Sequence, residues 1–125
     1  MEIDELIEIA KKSVVNCYAP YSKFHVVSVL EAEENLFFVG VNVENVSFGL
    51  TVCAERIAVF KAVSEGYKEF SKILIYSPDG MPYPCGSCRQ VLAEFCGKSF
   101  PIYIASNREI KVFTLGELLP HTFSL

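Results

Sequence analysis

Long apolar runs are missing from this chain of 125 residues. Stretches such as Leu36 to Val41 fall far short of the roughly 20 apolar residues that a membrane-spanning helix needs. No membrane partner is expected. A stripe of Lys and Arg is missing too: 11 basic residues face 15 acidic ones, the net charge is −4, and the two signs are interspersed. Binding to a nucleic-acid backbone rests on clustered cations, so nucleic acid is not expected as a partner either. The opening MEIDELIEIA is acidic and periodic, not cationic and then apolar, and lacks the form of a secretory signal. A soluble, cytoplasmic protein is expected. There is no internal repeat, linker, low-complexity tract or Gly-rich phosphate loop. The five cysteines are an odd number without a secretory signal, which argues against a disulfide framework.

What is present suits a compact globular chain. Hydrophobic residues make up 51% and charged residues 21%, and the length fits a single domain, 1–125, with one real core. Ile3, Leu6, Ile7, Ala10 and Val14 recur at helical spacing, and Pro20 predicts that this helix ends near Cys17. Two β-rich runs follow, near 24–32 and 36–43, with Glu33-Glu34-Asn35 as their hairpin turn. Residues 52–66, VCAERIAVFKAVSEG, read as a helix apolar almost all round and hence buried, closed by Gly66. KILIYS (72–77) is a short buried strand, and PDGMPYP (78–84) is turn material. Cys88, Val91, Leu92, Phe95 and Cys96 share a helical face that Gly97 closes. Strands at 100–105 and 110–114 and a last helical turn at 114–119 complete the chain. The alternation implies an α/β layer fold around one sheet of about five strands.

The chemistry-bearing residues sit at helix starts. Cys17 and Cys96 read as buried free thiols. Cys85-Gly86-Ser87-Cys88 enters a helix from a Pro-rich loop, where two thiols three apart either chelate an ion or form a redox disulfide. Cys53 adds a third thiol at a second helix start. Helix N-termini lower thiol pKa values, and soft thiolates select zinc over magnesium or calcium. Structural zinc normally takes four protein ligands, whereas a catalytic zinc keeps its fourth position for water.

Glu55 lies two residues after Cys53, and positions i and i+2 on a helix point in nearly opposite directions. First-turn side chains nevertheless tilt toward the N-terminus and converge beyond its tip. Cys53 and Glu55 can therefore serve one zinc only if it lies off the helix end. Taken alone, C-A-E would be a thiol beside a dipole-favouring carboxylate. With P-C-x-x-C downstream it becomes the three-cysteine zinc-deaminase pattern. In that chemistry zinc lowers the pKa of water to about 7, and the glutamate moves the proton to the base and the leaving amine. Arg56 shares a face with Cys53 at i, i+3. Three thiolates and one Zn²⁺ sum formally to −1, so a guanidinium on sulfur would offset charge. The plainer reading of Arg56 is a surface arginine.

Over nearly its whole length the sequence resembles the small, homotetrameric cytidine deaminases. The resemblance rests on Ala19-Pro20-Tyr21-Ser22-Lys23-Phe24, Asn42-Val43-Glu44-Asn45, CAERIAVFKAVSEGY, PCGSCRQV and Glu117-Leu118-Leu119-Pro120. It implies a three-layer α/β/α domain with a mixed sheet, and one Zn²⁺ per chain held by Cys53, Cys85 and Cys88. Glu55 matches the proton shuttle, Asn42 and Glu44 the ribose-binding pair, and Phe24 an aromatic that packs on the pyrimidine. The backbone around Ala54 lies where the family contacts the base. Phe123 matches an aromatic that completes a neighbouring subunit's pocket. The implied activity is hydrolysis of cytidine and 2′-deoxycytidine to uridine and 2′-deoxyuridine with release of ammonia, a reaction of pyrimidine salvage.

There are departures. His25-Val26-Val27-Ser28-Val29 stands where the family commonly has Pro-Val-Gly-Ala-Ala, and Phe48 where it often has tyrosine. Blasticidin-S deaminases share the catalytic pattern, although Asn42 with Glu44 favours a ribose. From another class, a structural zinc module would recruit His25 or His121 as a fourth ligand. Neither has motif spacing to the cysteines.

Overall fold

The computed structural model describes residues 2–33 and 35–125. In chain order the elements are α1 (Ile3–Ser13), β1 (Val27–Glu33), β2 (Leu36–Val41), α2 (Ala54–Ser64), β3 (Lys72–Tyr76), α3 (Gly86–Phe95), β4 (Pro101–Ala105), β5 (Ile110–Thr114) and α4 (Leu115–Leu118). The five strands form one sheet in the order β2-β1-β3-β4-β5. Only β3 and β4 run parallel; the other three pairings are antiparallel, so the sheet is mixed, as expected. Glu34 of the expected hairpin turn lies outside the described residues; Asn35 takes a positive φ of 64°.

Period-two alternation explains the layers. Leu30, Phe38, Ile73, Ile75, Ile102 and Ile104 form one core with Ala58, Val59 and Ala62 of α2 and Leu92 of α3. Their neighbours along the strands, Val27, Val29, Leu74, Tyr76 and Ala105, form a second core with Leu6 and Ala10 of α1. Helices thus cover both sides of the sheet. None among the described residues is long and apolar enough to cross a membrane.

Three expectations change on the structure. β1 begins at Val27, not near 24. The N–H groups of Phe24, His25 and Val26 donate to side chains, Ser22 Oγ (3.0 Å), Asp79 Oδ2 (2.8 Å) and Asn42 Oδ1 (3.1 Å), in place of a neighbouring strand. α2 is not buried all round: Phe60 is 49% exposed, because the helix packs one face on the sheet and the chain leaves the other uncovered. α3 ends at Phe95 with an extended Cys96, and Gly97 is not left-handed, whereas Gly66 after α2 is, at φ 95°.

Candidate metal centre and active site

Two helix starts meet at one point. Cys53 is the N-cap of α2 and Cys85 the N-cap of α3, both with extended backbone. An N-cap side chain normally offers an oxygen to a free first-turn N–H. Here the Cys85 sulfur takes that place and accepts the Cys88 N–H at 3.4 Å. Cys88, in the first turn of α3, is fully buried.

The Cys53 and Cys85 sulfurs lie 3.9 Å apart, those of Cys85 and Cys88 3.4 Å, and all three fall within 4.8 Å of one another. An ion about 2.3 Å from each of three tetrahedrally placed sulfurs would set them about 3.8 Å apart. The donor set and its spacing therefore fit zinc. Neither His25 nor His121 joins the group, so among the described residues the cluster offers three ligands and no fourth. The cluster lies off the tip of α2, where Cys53 and Glu55 can converge.

Beside the sulfurs opens a cleft of about 320 Å³, lined by Cys53, Cys85, Glu55, Phe24, Asn42 and Glu44 among others. Ala54 lines it as well, at the first residue of α2. Glu55 is only 4% exposed. Its Oε1 accepts a hydrogen bond from the Ser28 hydroxyl on β1 at 3.3 Å. Glu44 Oε1 accepts the N–H groups of Tyr21 (3.0 Å) and Ser22 (3.1 Å), and its Oε2 accepts the Ser22 hydroxyl. The Asn42 amide spans the segment carrying Phe24: Nδ2 donates to Phe24 O at 2.8 Å and Oδ1 accepts from Val26. The Phe24 ring rests against Gly80, where an added Cβ would touch it at 3.5 Å.

A catalytic three-thiolate site with a buried carboxylate narrows the choice of relatives, and comparison with known proteins decides it. The zinc-binding region of cytidine and deoxycytidylate deaminases matches residues 1–104. The chain belongs to this deaminase family. It is 43% identical to a cytidine deaminase from Sporosarcina psychrophila, over 99% of this chain and 93% of the relative. The crystal structure of cytidine deaminase from Burkholderia pseudomallei superposes with a TM-score of 0.91 at 39% identity, covering 98% of this chain and all of that one. A more distant relative, a blasticidin-S deaminase from Bacillus cereus, is 30% identical over 93% of this chain and 88% of its own length. As a zinc-binding deaminase, the protein uses Zn²⁺.

The electrostatics suit a deaminase. The Cys53 thiol is pulled down to about 5, first by a hydrogen bond from Cys88 and then, against burial, by the Arg56 guanidinium and Cys85. Arg56 Nη2 lies 3.7 Å from the Cys53 sulfur and 3.3 Å from Thr51 O. The Cys88 thiol, donating to Cys53 and buried, is pushed up. Burial raises the Glu55 carboxyl to about 6, and the Cys53 charge adds to the effect. Burial pushes Glu44 up as well, but the Ser22 hydroxyl and the Ser22 and Tyr21 N–H groups outweigh it and hold this carboxyl below its ordinary value.

Eight of the ten residues expected at the site line the cleft or belong to the three-cysteine group, and Arg56 lies against the Cys53 sulfur. Phe123 does not line the cleft of its own chain; it is 73% exposed. Its backbone is clamped by Gln90, whose Nε2 donates to Phe123 O (3.1 Å) while Oε1 accepts the Phe123 N–H (3.2 Å). Sequence reasoning missed Ser28 as a partner of Glu55, and missed the tether of Asp79 to His25. The available signal for Ser28 was a lone hydroxyl within the apolar run from Val26 to Leu30.

Proposed function

We propose that the protein hydrolyses cytidine and 2′-deoxycytidine to the uridine nucleosides with release of ammonia, the glutamate of the C-A-E segment moving the proton. The observation that carries this reading is the buried Glu55 carboxylate in the same cleft as the three-cysteine cluster. Cys53, Cys85 and Cys88 would hold one Zn²⁺ per chain. Bound zinc supplies the Lewis acidity that brings water close to ionising at about pH 7. Glu55 takes up the first proton that water releases and delivers it to ring N3 as the water oxygen bonds to C4; it then takes the second proton from that oxygen and delivers it to the exocyclic amine, so that the C4–N bond breaks and ammonia leaves. Phe24 packs on the pyrimidine, and the backbone at Ala54 contacts the base. Glu44 accepts from the ribose 3′-hydroxyl. Asn42 adds the amide hydrogen that its own backbone contacts leave free.

The test is substrate profiling of the zinc-loaded protein with cytidine, deoxycytidine, CMP and blasticidin S, alongside a zinc count. Ammonia release from the two nucleosides is expected. Bound zinc with no ammonia from any cytosine nucleoside would leave only a structural zinc module, and turnover of blasticidin S alone would assign the site to the other deaminase type. Arg56 offsets the formal charge of the three thiolates. Arg56→Gln is expected to weaken zinc retention against a chelator, or turnover, by about 10-fold, the lower end of what outer-shell partners contribute; unchanged values for both would remove that role.

We also infer a cytoplasmic homotetramer with shared sites. A reducing compartment keeps five thiols free. Support for assembly comes from apolar side chains left outside: Val46 and Phe48 are each 75% exposed, near the cleft residue Thr51, and Phe60 and Phe123 are exposed too. The Gln90 clamp holds Phe123 outward for a neighbour. Phe123→Ala is expected to raise KM for cytidine roughly 10-fold, the scale of one aromatic contact, with the melting temperature unchanged. A monomer in sedimentation with full activity would end the shared-site reading.

A further inference from the structure

We propose that Ser28 is a positioning residue for catalysis: its hydroxyl holds the Glu55 carboxylate in the orientation from which the proton is moved. This rests on the reading of Glu55 as the proton shuttle.

Ser28 sits on β1 between two paired strands, opposite Gly40 on β2 and Ile75 on β3. Its backbone is committed to the sheet. Along the side of β1 that faces α2, the residues are Ser28, Leu30 and Ala32, so Ser28 brings a polar group into an apolar face. It is completely buried. A buried hydroxyl without a partner is costly, so the group it does bond matters. That partner is Glu55 Oε1, at 3.3 Å.

The approach is made possible across the strand. Gly40, the register partner of Ser28, lacks the Cβ that would strike the Ala54 carbonyl at 2.2 Å. The first turn of α2 therefore settles onto the sheet at this pair, and Glu55 comes to lie over Ser28.

The consequence for catalysis is orientational. A glutamate carboxylate rotates broadly about its last bond. Anchoring Oε1 to a rigid strand removes that freedom and fixes where the second oxygen points. Proton transfer needs the donor and acceptor within hydrogen-bond reach and aligned, so a carboxylate free to turn spends less time in productive geometry. A hydroxyl both donates and accepts, so the contact persists when the carboxyl carries a proton in mid-turnover. Ser28 touches no substrate; it acts through Glu55.

Ser28→Ala removes one oxygen and leaves the strand unchanged. Its kcat is expected to fall about 10- to 150-fold, the range for losing a hydrogen bond to a charged group, with KM within about twofold. Zinc content and melting temperature should equal those of the parent. Ile75→Val, at the neighbouring register position, serves as the packing control: it lowers the melting temperature and leaves kcat in place. In the Glu55→Gln background, Ser28→Ala should cause no further fall in residual turnover, because the oriented proton carrier is already gone. An unchanged kcat in Ser28→Ala overturns the proposal. So does a fall in kcat accompanied by lost zinc or a lowered melting temperature, which would mark Ser28 as structural. Should Glu55→Gln itself retain turnover, the reading of Glu55 fails instead, and the two failures are told apart by that single variant.

Discussion

Glu55→Gln is expected to lower turnover of cytidine by about 1,000-fold or more while the protein keeps its zinc and its fold. Positioned general acid–base groups contribute roughly 100- to 10,000-fold, and the upper part of that range applies where one group serves several proton transfers. Glutamine has almost the same shape, and its carbonyl oxygen still accepts the Ser28 hydroxyl, so the neighbourhood of α2 is preserved. What it cannot do is carry a proton. Stability should hold or rise. Glu55 is 4% exposed, and burial disfavours its charged form, so a neutral amide relieves a cost that the active site imposes on the fold. Zinc measured by metal analysis, a melting curve and an ammonia assay on one preparation check all three expectations. A Gln variant that retained a tenth of parental turnover would remove Glu55 from the proton path.

The parts of this site legible in the sequence are those carried by local rules. Cys53 and Glu55 lie on one helix tip, and Cys85 and Cys88 on another. Helix starts are marked by short-range signals, so the three sulfurs and the carboxylate could be placed before any coordinates. Phe24 to Val26 show where such rules stop. Their β-forming character predicts a strand, but the His25 N–H is taken by Asp79, 54 residues away, and the Val26 N–H by Asn42, 16 residues away. Acceptors that distant leave no mark on local pattern. Ser28 is similar: a polar residue in an apolar run was visible, but its partner is 27 residues away. Phe60 failed for another reason. A helix apolar all round reads as buried, yet a chain of this size has only one sheet to cover it with.

Gly40→Ala is expected to be the most damaging of the glycine-to-alanine changes in this protein. A Cβ at Gly40 would lie 2.2 Å from the Ala54 carbonyl oxygen and 2.5 Å from the Ala58 nitrogen, both backbone atoms of α2. No side-chain rotation relieves a collision with backbone; the helix itself must lift from the sheet. Overpacking usually costs about 1–3 kcal/mol, and here the displaced element carries Ala58, Val59 and Ala62 of the larger core. A loss of at least about 3 kcal/mol, or a melting temperature lower by roughly 10 °C, is expected. The site fails with the core. Ala54 follows the ligand Cys53 directly, and lifting the first turn moves Cys53 away from Cys85 and Cys88, so zinc content and turnover should fall together. Gly97→Ala is the matched control: an added Cβ there meets nothing within 4 Å, and its backbone is not left-handed. It should melt and turn over like the parent. An alanine at position 40 with parental stability and zinc would show that α2 does not need this close approach, and Ser28 would then owe its contact with Glu55 to something other than the missing side chain across the strand.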